Sequence, residues 1–245
     1  MPLALAMLDM AATTVDDTIE GQPLVLRSFA ESLASVGVHV PWETLNAQRG
    51  KDKREVFHTL LASHGGLRGR ELEAMTQRLL QDFTARLLDN VRRLREMPGA
   101  TETLAFLNAR GLFVALGSGF PLEVTRAIAA HLGWTQRGLV HFVTCGEAAG
   151  GGRPHPHMIN RALQAAGLLP PALPAGQVHP HFDYRCVLKV GDTVQDVAEG
   201  RRVGALTVAV ASGTQTADVL WQAGAEAVLP SIAALPAYLL ERGEC

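Results

Sequence analysis

Asp9 is where this chain could do chemistry. It closes the apolar run Leu3 to Leu8 and opens the stretch Asp9-Met10-Ala11-Ala12-Thr13-Thr14-Val15-Asp16. An apolar run of strand length that stops at an aspartate puts the carboxylate at a strand's carboxyl end, where open parallel sheets bind their ligands. Small and hydroxyl residues follow, leaving backbone N–H groups and the hydroxyls of Thr13 and Thr14 to hold an anion. An aspartate held there can act as a nucleophile toward phosphorus. A second carboxylate two positions on could protonate a leaving group, but Ala11 offers only a methyl. Another group must do that work, or the leaving group must not need it.

Four more segments carry side chains suited to such a site. Leu116-Gly117-Ser118-Gly119-Phe120-Pro121 ends a strand and opens a helix, so Ser118 can donate to a phosphoryl oxygen beside the helix N-terminus. Gly150-Gly151-Gly152-Arg153-Pro154-His155-Pro156 delivers one guanidinium, which can pair with phosphoryl oxygens in a bidentate manner. Val190-Gly191-Asp192-Thr193-Val194-Gln195-Asp196 places two carboxylates at a strand end, a donor set that suits Mg²⁺. In Arg49-Gly50-Lys51-Asp52-Lys53-Arg54-Glu55, the Asp52/Glu55 pair resembles a capping box, which makes Lys53 the first helical residue. The positive end of that helix, with Lys51 and Arg54, lowers the lysine's pKa, while Asp52 and Glu55 oppose it. A partly neutral amine can attack a carbonyl to form a Schiff base. Each segment alone has a plainer reading: an ordinary turn, a solvated arginine, an Asp192 or Asp196 helix cap, a solvated lysine.

These side chains need a scaffold, and the chain reads as two textures. From about Thr18 to Met97 it is helical: Leu24 to Val36, Lys53 to Ser63, and Glu71 to Arg95. Met97-Pro98-Gly99 breaks the pattern. Beyond it, helices Thr101–Arg110, Leu122–Leu132, His157–Ala166 and Asp196–Val203 alternate with strands Leu112–Leu116, Leu139–Thr144, Cys186–Val190 and Leu206–Val210. A last helix and strand pair falls between Thr216 and Leu240. Alternation of this kind means an α/β fold, a parallel sheet covered on both faces. The strand Leu3–Leu8 belongs to that sheet, so the helical block is inserted after it. Pro170–Tyr184 reads as a long loop, and its His179 and His181 as solvated surface rather than a metal site.

Composition excludes several classes. Of 245 residues 47% are hydrophobic and 19% charged, the texture of a globular enzyme with one sizeable core. A formal charge of −2 without a long basic run argues against a nucleic-acid partner. Cys145, Cys186 and Cys245 fit neither a disulfide framework nor a zinc pattern, and a reducing cytoplasm is expected. The N-terminal apolar segment lacks preceding basic residues, which makes it a strand rather than a leader, and no run is long enough to span a membrane.

Taken in order, these motifs resemble the haloacid dehalogenase superfamily, and within it the phosphonoacetaldehyde hydrolase (phosphonatase) group. The likeness runs from Leu3 to about Gly213. It includes Gly50-x-x-Lys53 and Val190-Gly191-Asp192-Thr193-x-x-Asp196-x-x-Glu199-Gly200. The resemblance implies a Rossmann-like core, residues 1–16 and 98–245, with an all-helical cap, residues 17–97. It implies Asp9 as nucleophile and Mg²⁺ held by the Asp9 carboxylate, the backbone carbonyl of Ala11 and Asp192, with Asp196 supporting the metal. Ser118 and Arg153 would bind the phosphoryl group, with Thr13, Gly119 and Phe120 on the substrate side. Lys53 would form an imine with the aldehyde of a phosphonate. Breaking a carbon–phosphorus bond then leaves an enamine, which needs no second aspartate. A homodimer through the caps is implied as well.

The chain departs from that group on the substrate side. Ala12 stands where glycine is usual, Arg49 where methionine is usual, and Val56 where a histidine lies one turn after the lysine. His58 is near in sequence but points to another part of the helix surface. The expectation is therefore a phosphonatase-like hydrolase whose small phosphonate or phosphate substrate need not be phosphonoacetaldehyde. The alternatives are a phosphomonoesterase or phosphomutase in which Lys53 merely binds an anion, and a catalytically silent phosphate- or phosphonate-binding relative.

Overall fold

Apolar runs long enough to be strands but too short for helices set the architecture. In the computed structural model, which describes residues 2–244, they form six parallel strands: β1 (Leu5–Leu8), β2 (Phe113–Ser118), β3 (Phe142–Cys145), β4 (Val187–Gly191), β5 (Leu206–Val210) and β6 (Ala227–Leu229). Met1 and Cys245 lie outside the described residues. Every residue of β1, β4 and β5 is buried, as strands covered on both faces must be. The helices that cover them are α5 (Ala100–Ala109), α6 (Leu122–His131), α7 (Gly146–Ala149), α8 (His157–Ala165), α9 (Val194–Val203), α10 (Ala217–Gln222) and α11 (Leu235–Arg242). Cys145 and Cys186 are free and buried. Among the described residues no helix is long and apolar enough to cross a membrane.

The sheet order is β6-β5-β4-β1-β2-β3. The winding direction therefore reverses between β1 and β4, and a crevice opens outside the carboxyl ends of those two strands. Register fixes what faces that crevice. Leu8 lies opposite both Leu116 of β2 and Val190 of β4, and the Asp9 N–H donates to the Val190 carbonyl at 2.9 Å. Asp9, Ser118 and Asp192 thus leave the sheet side by side.

Between β1 and β2 the chain forms four helices, α1 (Leu24–Ala34), α2 (Trp42–Asn46), α3 (Lys53–Ser63) and α4 (Gly69–Asn90). Rings of Phe29, Phe57 and Phe83 pack 4.8 to 5.5 Å apart at the centre of this block. Its two crossings to the sheet pair with each other, Val15 opposite Glu96 and Asp16 opposite Arg95, antiparallel. That pairing is why the helix expected to reach Arg95 stops at Asn90, followed by one 3-10 turn, Val91–Arg93. The strand expected from Leu139 begins instead at Phe142, because the N–H groups of Leu139 and Val140 close a turn on the Trp134 carbonyl at 2.8 and 3.3 Å. The loop 170–184 is largely exposed, as expected, but is anchored from beneath by a buried side chain. Asn160 donates to the Ala175 and Gln177 carbonyls, both at 2.7 Å, and accepts from the Tyr184 hydroxyl at 2.7 Å.

Asp52 caps α3, its carboxylate accepting from the Glu55 N–H at 3.2 Å, so Lys53 opens the helix as the sequence requires. Gly50 just before it has φ +78° and sits so close to the core that an added Cβ would come within 2.6 Å of the Thr193 hydroxyl. Gly50→Ala should therefore lower stability by about 1–2 kcal/mol from the left-handed backbone alone, read as an earlier denaturation midpoint at unchanged m-value.

Candidate active site

Carboxylates delivered to the crevice by β1, β4 and α9 would repel one another without cations among them. Asp9, Asp192 and Asp196 are all buried, and one oxygen from each lies within 4.8 Å of the others. Arg153, also buried, crosses this cluster. Its Nη2 donates to Asp9 Oδ1 and to the Gly117 carbonyl, both at 2.7 Å. Its Nε lies 3.1 Å from Asp196 Oδ1 and 3.3 Å from Glu199 Oε2. Burial alone would lower the guanidinium's pKa, but Asp196, Asp9 and Glu199 together hold it above its ordinary value.

A second cation completes the network from below. Lys189 on β4 is fully buried, with Nζ 2.8 Å from Asp196 Oδ1 and 3.1 Å from Glu199 Oε2. Asp196 Oδ2 accepts from the Thr193 hydroxyl at 2.5 Å. Burial pushes Asp196 upward, yet Arg153, Lys189 and these hydrogen bonds outweigh it and hold its carboxyl below the usual range. Asp9 and Asp192 behave oppositely. Burial raises both, and Arg153 only partly offsets the rise at Asp9. Asp192 is raised well above the usual range by burial and then by the Asp9 charge, and its Oδ2 is buried without a hydrogen-bond partner.

The helical block supplies the opposite wall. A cavity of about 20 Å³ is lined by Asp9, Ala11, Arg49, Lys53, Ser118 and Arg153, among others. That is room for about one water. Lys53 is 5% exposed. Burial first, then the Arg153 charge, lower its pKa from 10.5 to about 8, against Asp9 and Asp52, which raise it. Its Nζ donates to the Lys51 carbonyl at 3.0 Å. Gly119 permits this approach, since a Cβ there would lie 2.9 Å from Lys53 Nζ and 2.9 Å from the Lys51 carbonyl oxygen. The Ser118 hydroxyl accepts from the Phe120 N–H at 3.0 Å, which leaves its own hydrogen free. Phe120 is buried and completes that wall. Arg153 also lines an open groove of about 870 Å³ between α3 and the loop before α8.

Some expected placements differ. The Thr13 hydroxyl donates to Asp192 Oδ1 at 3.2 Å and the Thr14 hydroxyl to the Asp9 carbonyl at 2.9 Å, so neither is free for an anion. They brace the two carboxylate loops instead. The cap of α9 is Thr193, not Asp192 or Asp196, and both aspartates remain with the cluster. Ala12 has φ +59° and does not line the cavity. The usual glycine there answers to backbone geometry, and alanine costs about 1–2 kcal/mol. Val56 is buried within α3, and His58 pairs outward with Glu73 at 3.2 Å. His179 and His181 join no group of metal-binding side chains among the described residues. In sequence Lys189 is simply one position of the strand Cys186–Val190. The missed signal is that a charge inside a strand buried on both faces requires a partner, and Asp196 and Glu199 follow on the next helix.

A family profile described as haloacid dehalogenase-like hydrolase matches residues 5–204. Phosphonoacetaldehyde hydrolase of Hahella chejuensis is 28% identical over 85% of this chain and 68% of its own length. Among solved structures, a phosphonoacetaldehyde hydrolase-like protein from Oleispira antarctica superposes with a TM-score of 0.77 at 21% identity, covering 98% of this chain and 92% of that one. A predicted phosphoglycolate phosphatase from Haemophilus somnus gives 0.72 at 17% identity, covering 96% and 97%. At these identities the two structures speak for the fold alone.

Removing the hidden cation tests the network. Lys189→Met leaves Asp196 and Glu199 short of positive charge in the interior and should cost about 3–5 kcal/mol. Chemical denaturation measures it. A loss below about 1 kcal/mol would mean the cluster is held otherwise.

Proposed function

As a member of the haloacid dehalogenase-like hydrolase family, to which its match over residues 5–204 assigns it, the chain is a hydrolase, and we propose that it cleaves the carbon–phosphorus bond of a small phosphonate bearing a carbonyl group. The observation that carries this reading is the buried Lys53 amine, with a pKa of about 8, in the same cavity as Asp9 and the methyl of Ala11. Residues 17–97 act as a cap that withdraws to admit substrate, since the closed cavity of about 20 Å³ is too small for one. Homodimer formation through the caps belongs to the same proposal.

A phosphoryl group entering the cavity takes the Arg153 Nη2 contact from Asp9 and accepts the free hydrogen of Ser118. The neutral Lys53 amine adds to the substrate carbonyl, and the resulting carbinolamine loses water while taking up one proton from solvent, leaving a protonated imine. Asp9 attacks phosphorus. The carbon–phosphorus bond breaks, and its electron pair moves into the carbon skeleton to give a neutral enamine and an aspartyl phosphate. Water then hydrolyses the acyl phosphate, releasing phosphate and restoring Asp9. A proton returns to the enamine carbon, and hydrolysis of the imine frees Lys53. No oxyanion leaves, so nothing is lost by having Ala11 in place of an acid.

The residues fit a divalent cation. Asp192 has a buried, unpartnered carboxylate oxygen, and its neighbour is another carboxylate. Mg²⁺ would be held by Asp9, Asp192 and the Ala11 carbonyl, and would offset the repulsion between the nucleophile and an anionic substrate. Asp196 supports that set indirectly, by fixing Arg153 and Lys189.

A phosphomonoesterase or phosphomutase is the competing reading. The Lys53 ammonium, hydrogen-bonded to the Lys51 carbonyl, favours it by offering a fixed positive charge to a substrate anion, a role arginine can also fill.

Asp9→Asn should reduce phosphate release by far more than tenfold, a barrier rise above about 1.4 kcal/mol, with the fold intact by circular dichroism. Adding Mg²⁺ to chelated protein should restore activity and raise its melting temperature, and Asp192→Ala should remove both responses. Only neutral lysine forms an imine. With a pKa near 8, roughly a tenth of Lys53 is neutral at pH 7. Trapping with borohydride during turnover of a phosphono-aldehyde should therefore quicken up to about pH 8, level off above it, and mark Lys53. Active Lys53→Arg enzyme without any adduct would favour the ester reading.

A further inference from the structure

Arg49 is the one cation in the cavity whose role remains open, and its contacts are unlike those of the others. It is 4% exposed, yet among the described residues its guanidinium makes no hydrogen bond. Its nearest anions are Asp17 Oδ1 at 3.7 Å and Asp192 Oδ2 at 3.9 Å. Asp17 Oδ2 and Asp192 Oδ2 are themselves buried without a hydrogen-bond partner. Arg153, lining the same cavity, shows what a settled guanidinium looks like here, with two contacts at 2.7 Å and others at 3.1 and 3.3 Å. A cation present only to neutralise Asp17 and Asp192 would be expected to close on one of them as Arg153 does on Asp9. A guanidinium held 3.7–3.9 Å from its anions keeps its donors available, and a planar anion can accept two of them at once.

Position narrows the ligand. Arg49 lines the cavity together with Asp9, Lys53, Ser118 and Arg153, and it arrives on the segment between α2 and α3, just before the close contact of Gly50 with Thr193. A phosphoryl group in front of Asp9 already has Arg153 and Ser118. Arg49 is left for a second acidic group on the same molecule, joined to the phosphoryl by a short skeleton because the cavity is small. A cation bound at Asp192 would weaken one of the two loose partners and release Arg49 further toward the ligand.

We propose that Arg49 selects substrates that carry a carboxylate close to the phosphoryl group, with its guanidinium receiving that carboxylate. This deepens the functional reading given above and rests on its placing the phosphoryl group before Asp9. The class is a compact phosphono-carboxylic acid that also carries the carbonyl group Lys53 requires.

Inert anions separate the proposal from the chemistry. Binding of phosphonoacetate, which has both acidic groups, and of ethylphosphonate, which has one, is measured by calorimetry with Mg²⁺ present. Wild type should bind phosphonoacetate at least tenfold more tightly than ethylphosphonate. The ratio should collapse toward one in Arg49→Met and fall only partly in Arg49→Lys, which keeps the charge but loses the fork. Should Arg49→Met melt early because Asp17 is left unpaired, Arg49→Met with Asp17→Asn removes the pair together and should show the same collapse. Equal affinities in wild type, failure of phosphonoacetate to bind, or a ratio that survives loss of Arg49 would each overturn the proposal. A protein that discriminates in this way but never releases phosphate would overturn the catalytic reading and leave Arg49 standing. One that cleaves phosphono-aldehydes without discriminating would do the reverse.

Discussion

Charge kept out of water is the constraint on which this structure turns. Asp9, Asp192, Asp196 and Glu199 are buried together with Arg153 and Lys189, and each isolated ion would cost several kcal/mol in the interior. The network meets that cost unevenly. Toward the sheet, Asp196 is saturated by Lys189, Arg153 and Thr193. Toward the cavity, Asp192 keeps an unpartnered oxygen and Arg49 makes no hydrogen bond. The pairs around Asp196 make the floor, where Glu199 Oε1 alone is left without a partner, while Asp192 and Arg49 line the cavity with their contacts incomplete.

The sheet makes this arrangement possible. Parallel strands in register deliver their carboxyl ends at one level, and the reversal between β1 and β4 opens a gap for the side chains that follow them. Nothing on one strand alone makes a site. Asp9 needs β4 beside it to bring Asp192, and it needs the loop before α8 to bring Arg153 over the top.

Much of this was legible beforehand. Motif order gave the family, and apolar runs gave the six-stranded α/β sheet; Leu206–Val210 and the helix Lys53–Ser63 fall where periodicity and capping put them. What escaped was set by tertiary contacts. The short helices Trp42–Asn46 and Gly146–Ala149 have too few residues to show a period. The paired crossings are two residues each, and their partners lie some eighty positions apart. Thr13 and Thr14 look like anion donors in one dimension, and only folding shows their hydroxyls already engaged. Arg49 is visible in sequence as an unusual residue, but the looseness of its contacts to Asp17 and Asp192 is a fact of three dimensions alone.

The double crossing between sheet and helical block has a mechanical consequence. Two independent strands would let the block swivel about either one. Here Val15–Asp16 and Arg95–Glu96 are hydrogen-bonded to each other, and the Met97 N–H donates to the Thr14 carbonyl at 2.9 Å, so the two tethers behave as one ribbon. A ribbon flexes readily across its flat side and resists shear within its plane. Withdrawal of the block as proposed above would thereby follow something near a single arc of travel. Lys53 and Arg49 would ride on that arc as one unit, and each return would bring them back to Asp9 in the same order and orientation.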